Sequence, residues 1–127
     1  MKNMDIYKKA LELLGGRFDR DRLIEYTIRA PYILGGFFYE NCALDDRYRE
    51  ILGCGRRKYT HTVYADLALD FPFVKRFQAA AEYYMASILV LEDDGETGDK
   101  FYGLYSGEMA EIISEIPTVA DIVINIT

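Results

Sequence analysis

The sequence predicts a mainly α protein: a small helical bundle of four to five helices with an extended, β-like internal loop and a C-terminal β-like arm. Three observations carry this. Val74, Phe77, Ala81, Tyr84, Ile88 and Leu91 are spaced 3-4-3-4-3, a helical seam sustained over five intervals. Phe101, Leu104, Tyr105, Met109, Ile112 and Ile116 form a second helical face that Pro117 stops. Two other runs, within Arg56–Asp70 and Asp121–Ile126, alternate with a period of two instead.

The elements follow in order. Ile6, Ala10, Leu13 and Leu14 share one face of a first helix, which Gly15-Gly16 ends. Asp19 caps a second helix, with Arg22 where a capping box would carry Glu. Its apolar positions are Leu23, Tyr26, Thr27, Ala30, Leu34, Phe37 and Phe38, and the pattern reaches about Cys42. Pro31 removes a backbone donor, so a kink is expected between Thr27 and Pro31. Gly35-Gly36 marks either a close helix approach or a break. Asp45 or Asp46 is then placed to cap a short third helix ending at Ile51, before Gly53-Cys54-Gly55.

After the alternating loop, a helix is expected from near Pro72, kept slim by Ala79, Ala80, Ala81 and Ala86. The polar stretch Glu92 to Asp99 reads as a turn into the last helix. Residues 118–127 form the expected arm. A lone strand is marginal in water, so this arm should pair with the Arg56–Leu69 segment or with another subunit.

Composition narrows the function. One domain is expected over residues 1–127, since domains cluster near about 100–150 residues. With 50% hydrophobic residues and 11 Tyr, the chain has ample material for a core, which argues against disorder. A net charge of −6 disfavours a strongly basic nucleic-acid binder. One His and two Cys exclude a His/Cys-rich zinc site, and no cofactor or metal is expected. Cys42 and Cys54 are expected to be free thiols in a reducing compartment. The start, Met1 to Ile6, lacks a signal-peptide core, and the longest apolar run, Met85 to Leu91, is too short to span a membrane.

Catalytic patterns are weak. Placing Gly98 at position 6 of a calcium loop leaves Gly95 at position 3 and Leu104 at position 12, so that register fails. Gly53-Cys54-Gly55 lacks the lysine of a phosphate loop. Arg56 and His61 stand at an Arg-x4-His spacing that resembles the signature of HEPN-type ribonucleases. That reading requires both residues on a helix. The charged clusters read more simply as surfaces: Arg56, Arg57 and Lys58 as a basic patch, Glu92, Asp93 and Asp94 as an acidic turn.

Taken in order, the local words are informative. Ile6-Tyr7-Lys8-Lys9-Ala10-Leu11-Glu12-Leu13-Leu14-Gly15 is followed by Tyr26-Thr27-Ile28-Arg29-Ala30-Pro31-Tyr32-Ile33-Leu34 and by Tyr39-Glu40-Asn41-Cys42. Leu67-Ala68-Leu69-Asp70-Phe71-Pro72-Phe73, the Tyr83 to Val90 helix, the acidic turn and Phe101-Tyr102-Gly103-Leu104-Tyr105 come next. From Ile6 to Pro117 this order resembles the small head–tail connector (adaptor) proteins of tailed bacteriophages and Firmicutes prophages. The resemblance implies a non-enzymatic subunit that forms a ring between portal and tail, tied to its neighbours by extended arms. The implied partners are further copies of itself and phage portal and tail proteins. DNA would only pass through the channel, which acidic walls would keep from sticking. Neither a membrane nor a small-molecule substrate is implied. Assembly would occur in the bacterial cytoplasm, ending in the virion. On this reading Arg56, Arg57 and Lys58 meet Glu92, Asp93 and Asp94 across subunits, and Ile122, Ile124 and Ile126 line the arm's docking edge. Another phage morphogenesis or tail-completion component is the alternative within the same class.

Overall fold

The computed structural model describes residues 1–57 and 63–117. The described chain forms four α-helices and one 3-10 turn: α1 (Asn3–Leu13), α2 (Arg20–Leu52), a 3-10 turn at Lys75–Phe77, α3 (Gln78–Val90) and α4 (Gly95–Ser114). The expected helical bundle is present.

The start of α1 is completed from far along the chain. A helix leaves its first amides without partners. Here the Asn3 amide donates to the Leu69 carbonyl and the Met4 amide to the Leu67 carbonyl, both at 2.9 Å. The Lys2 amide donates to the Asp5 carboxylate at 2.8 Å. Ile6, Tyr7 and Ala10 are buried. Gly15 and Gly16 then turn the chain with φ of +104° and +70°, a region open to glycine at little cost.

α2 departs from expectation. A boundary near Cys42 and a separate helix capped by Asp45 or Asp46 are replaced by one helix of 33 residues, about 50 Å long at ~1.5 Å per residue. It begins at Asp19, whose carboxylate accepts from the Arg22 amide at 2.8 Å. It runs through Pro31 and Gly35-Gly36 without a break. The reason is an uninterrupted buried face. Tyr26, Ala30, Leu34, Phe37, Asn41 and Asp45 follow the helical period across every interrupting residue. Tertiary burial along that face outweighs the single backbone bond that proline removes. Gly53, at φ +70°, ends the helix in the left-handed conformation, with the Cys54 amide on the Arg49 carbonyl at 2.9 Å.

The expected β-like loop is not confirmed over its described part. Residues 63–74 are turns and irregular backbone, and the described residues contain no strand. A single antiparallel bridge joins Lys2 and Asp70. Ala65 and Leu67 are buried while Val63 and Leu69 are exposed, so the alternation gives no clean inner face. A strand needs a partner strand. This segment instead spends its carbonyls on α1, and the Ala65 amide donates to the Pro31 carbonyl at 2.9 Å. The arm at 118–127 lies outside the described residues.

α3 starts later than Pro72, after the 3-10 turn. It is the central helix, packed against α1, α2 and α4. A helix in that position is apolar nearly all round. Ala80, Ala81, Met85, Ala86 and Leu89 are fully buried, whereas the expected seam is only one flank: Val74, Tyr84 and Ile88 are half-buried and Leu91 is exposed. α4 matches its predicted face except at Leu104, which is exposed. A close helix approach occurs at Gly98, whereas at Gly36 the nearest atom to a Cβ position is the Tyr84 hydroxyl oxygen at 3.5 Å. A Cβ on Gly98 would lie 3.1 Å from the Leu91 Cα and 3.3 Å from the Ser87 carbonyl. The Ser87 hydroxyl donates to the Gly98 carbonyl at 3.0 Å, tying α3 to α4. At the core centre, Phe37 contacts the rings of Phe38, Phe73, Tyr84 and Tyr105 at centroid distances of 5.7–6.1 Å.

Candidate interaction site

Two charged clusters and one apolar stripe stand out, all organised by α2. The first surrounds Asp45, whose side chain has no solvent exposure. Its Oδ2 accepts from Arg49 Nε and from Arg57 at 2.9 Å each, and its Oδ1 accepts from the Val74 amide at 2.9 Å. Arg57 also donates to Asp46, and its guanidinium carbon lies 5.7 Å from the Phe73 ring centre. Arg49 reaches the carbonyls of Gly55 and Pro72. Burial works against the charge on Arg57, but hydrogen bonds to Asp45 and Asp46 outweigh it and raise the guanidinium pKa. This cluster fastens residues 55–57 and 72–74 to the C-terminal half of α2.

The second cluster sits at the turn between α3 and α4. Asp93 accepts from the Tyr26 hydroxyl at 2.9 Å and pairs with Arg22. Burial raises the Tyr26 phenol above its ordinary pKa. Asp94 caps α4, accepting from the Thr97 amide at 3.1 Å and the Thr97 hydroxyl at 2.6 Å. Those hydrogen bonds hold its carboxyl below its ordinary pKa. Glu92 is exposed.

The predicted interface residues therefore divide. Arg57, Asp93 and Asp94 are engaged within their own chain, while Arg56 and Glu92 are exposed. Lys58, His61, Ile122, Ile124 and Ile126 lie outside the described residues. The fold does not bring the basic and acidic clusters together. They attach to opposite ends of α2: Asp93 meets Tyr26, and Arg57 meets Asp45. The separation of 19 positions between Tyr26 and Asp45 corresponds to about 30 Å. Arg56 follows the end of α2 in irregular backbone, so the helical placement required of a HEPN-type arginine is not met. No protein-family model, curated protein or solved structure matches the chain. Among the described residues no group of three or more His, Cys, Asp or Glu is placed to hold a metal ion. No helix among them is long and apolar enough to cross a membrane.

Sequence reading missed the third feature. On the side of α2 away from the core, Ile24, Ile28, Tyr32 and Tyr39 are 49%, 64%, 55% and 76% exposed. Tyr64 extends this stripe, its ring edge-on to Tyr32 at 5.2 Å. The signal was present as apolar residues at i, i+4 and i+8. It was masked because the buried residues on the opposite face gave the stronger helical pattern. Asp45 was missed for a different reason. A carboxylate is read as a surface or capping group unless its cationic partners are known, and one of them, Arg57, stands twelve residues away.

Proposed function

We propose that this chain is a structural subunit of a phage or prophage particle, a head–tail connector that closes into a ring between portal and tail. The observation that carries this reading is the placement of opposite charge at opposite ends of α2, with Arg56 exposed near one end and Glu92 near the other. A head-to-tail interface joins two different patches of the same subunit, and a ring forms when the rotation closes. Separation of about 30 Å lets each end meet a different neighbour. The order of local words along Ile6–Pro117 supports the same class. Its alternative within that class is a tail-completion component with the same assembly chemistry.

The test is binding of the full chain to a purified portal ring, read by native mass spectrometry and electron microscopy. A stoichiometric ring on the portal supports the connector reading, and no association with portal or tail proteins refutes it. The contact itself is tested with Arg56→Glu and Glu92→Lys. Each alone should weaken ring formation, and a mixture of the two variants should partly restore it. Arg57 and Asp93 are unsuitable for this purpose, because changing them removes bonds within the subunit.

A further inference from the structure

We infer that the last turn of α2 is the seat of residues 119–122 of its own chain. α2 keeps its core-facing pattern to its end. Leu44 and Tyr48 pack against the core, and Ile51 and Leu52 follow Tyr48 at the three- and four-residue steps that stay on one helical face. Tyr48 is covered: its ring is edge-on to Phe77 at 6.0 Å, and its hydroxyl donates to Glu115 at 3.3 Å. Ile51 and Leu52, by contrast, are 47% and 56% exposed. The inner face of α2 thus runs one turn past the described residues that cover it.

The position of Pro117 selects the occupant. α4 ends at Ser114, Ile116 is buried, and the Pro117 carbonyl accepts from Arg47 at 3.2 Å. Ile51 and Leu52 stand four and five positions beyond Arg47, about 6–8 Å along the helix axis. Three extended residues span about 10 Å, so the chain after Pro117 has the reach. Its sequence, Thr118-Val119-Ala120-Asp121-Ile122, offers Val119 and Ile122 to the apolar turn, and its one charge, Asp121, has the exposed Arg47 at hand. Residues 58–62 are attached elsewhere: they join Arg57, bonded to Asp45, to the segment at Ala65, bonded to the Pro31 carbonyl, and both attachments lie back along α2 from Tyr48. A second copy competes poorly for the seat, because so short a tether holds the chain's own segment at an effective concentration on the order of mM. The seat does not rest on the connector reading or on any contact made through Arg56 and Glu92.

The experiment uses the full chain carrying Cys42→Ser and Cys54→Ser, which removes both natural thiols. Ala120→Cys is then combined in turn with Ile51→Cys, Leu52→Cys or Glu50→Cys. Each chain is oxidised at low protein concentration and followed by mass spectrometry and non-reducing gels, with circular dichroism to confirm the helices. The Ile51 and Leu52 pairings should close within one chain roughly tenfold faster than the Glu50 pairing, since Glu50 stands at the same level of α2 but is turned away from the inner face. Adding Leu52→Asp should slow the Ile51 pairing to the Glu50 rate. Equal rates at all three positions would mean a tether that takes no seat and would overturn the inference. So would disulfides formed mainly between chains, since the occupant would then be a second copy.

Discussion

Arg57 lies 2.9 Å from the Oδ2 of Asp45, a carboxylate that no solvent reaches, although the two are twelve residues apart. The pair joins the loop after α2 back onto α2. Breaking one side of a buried ion pair leaves an uncompensated charge, typically costing about 3–5 kcal/mol. Asp45→Ala, which removes the shared partner of Arg49 and Arg57, is expected to destabilise the chain by that order in urea unfolding, and Arg57→Ala by less, because Asp45 keeps Arg49. The double variant should lose less than the sum, because the partners form one unit.

Glu82 gives a pH prediction. It is buried on α3, and its Oε2 has no hydrogen-bond partner among the described residues. Burial raises its pKa above the ordinary 4.5, and Lys9 and Gln78 only partly counter this. As pH rises past 4.5, the unfolded chain ionises first, so this group's contribution to stability falls until the folded group ionises too. Glu82→Gln should therefore be more stable than the natural chain at pH 7. Its advantage should shrink below pH 4.5, as read by urea midpoints across the range.

Two glycines of α4 should respond in opposite directions to alanine. Gly98→Ala places a methyl 3.0 Å from the Leu91 Cδ1 and 3.1 Å from its Cα. Overpacking of this kind costs about 1–3 kcal/mol. Gly107 has nothing within 4 Å of a Cβ position, and its backbone is helical. Gly107→Ala should stabilise by about 0.5–1 kcal/mol through helix propensity. Thermal unfolding of the two variants distinguishes these outcomes directly.

Tyr26→Phe removes the hydroxyl that reaches Asp93 and leaves the ring in place. The expected loss is about 1 kcal/mol, since Asp93 keeps Arg22 and some water. The same variant should raise hydrogen exchange at the α3–α4 turn without affecting the loop at 55–57.

Much of this architecture was legible in the residues. The Asp19 cap, the glycines after α1 and the α4 face from Phe101 to Ile116, apart from the exposed Leu104, are local patterns that formed where expected, whereas of the α3 seam only Phe77 and Ala81 are fully buried. The failures were non-local. Pro31 and Gly35-Gly36 are strong local interruptions, yet α2 continues because burial of Phe37 and Phe38 against Phe73 is decided elsewhere in the chain. The alternation around Ala65 and Leu67 promised a strand, but a strand depends on a partner the sequence does not name. For the surfaces, charge clustering located Arg56 and Glu92. It did not reveal that Arg57 and Asp93 are held internally, because those bonds depend on the route of the backbone.

The bonds between Asn3 and Leu69 and between Met4 and Leu67 also set an order of events in folding. α1 has 11 residues, too few for a stable isolated helix in water. Its first amides wait for carbonyls more than sixty positions downstream. Closing a loop of that length costs chain entropy before any contact offsets it. α1 should therefore lock only after α2 has formed and the chain has returned along it. Slow exchange at its amides would then report completion of the whole domain, not persistence of a local helix.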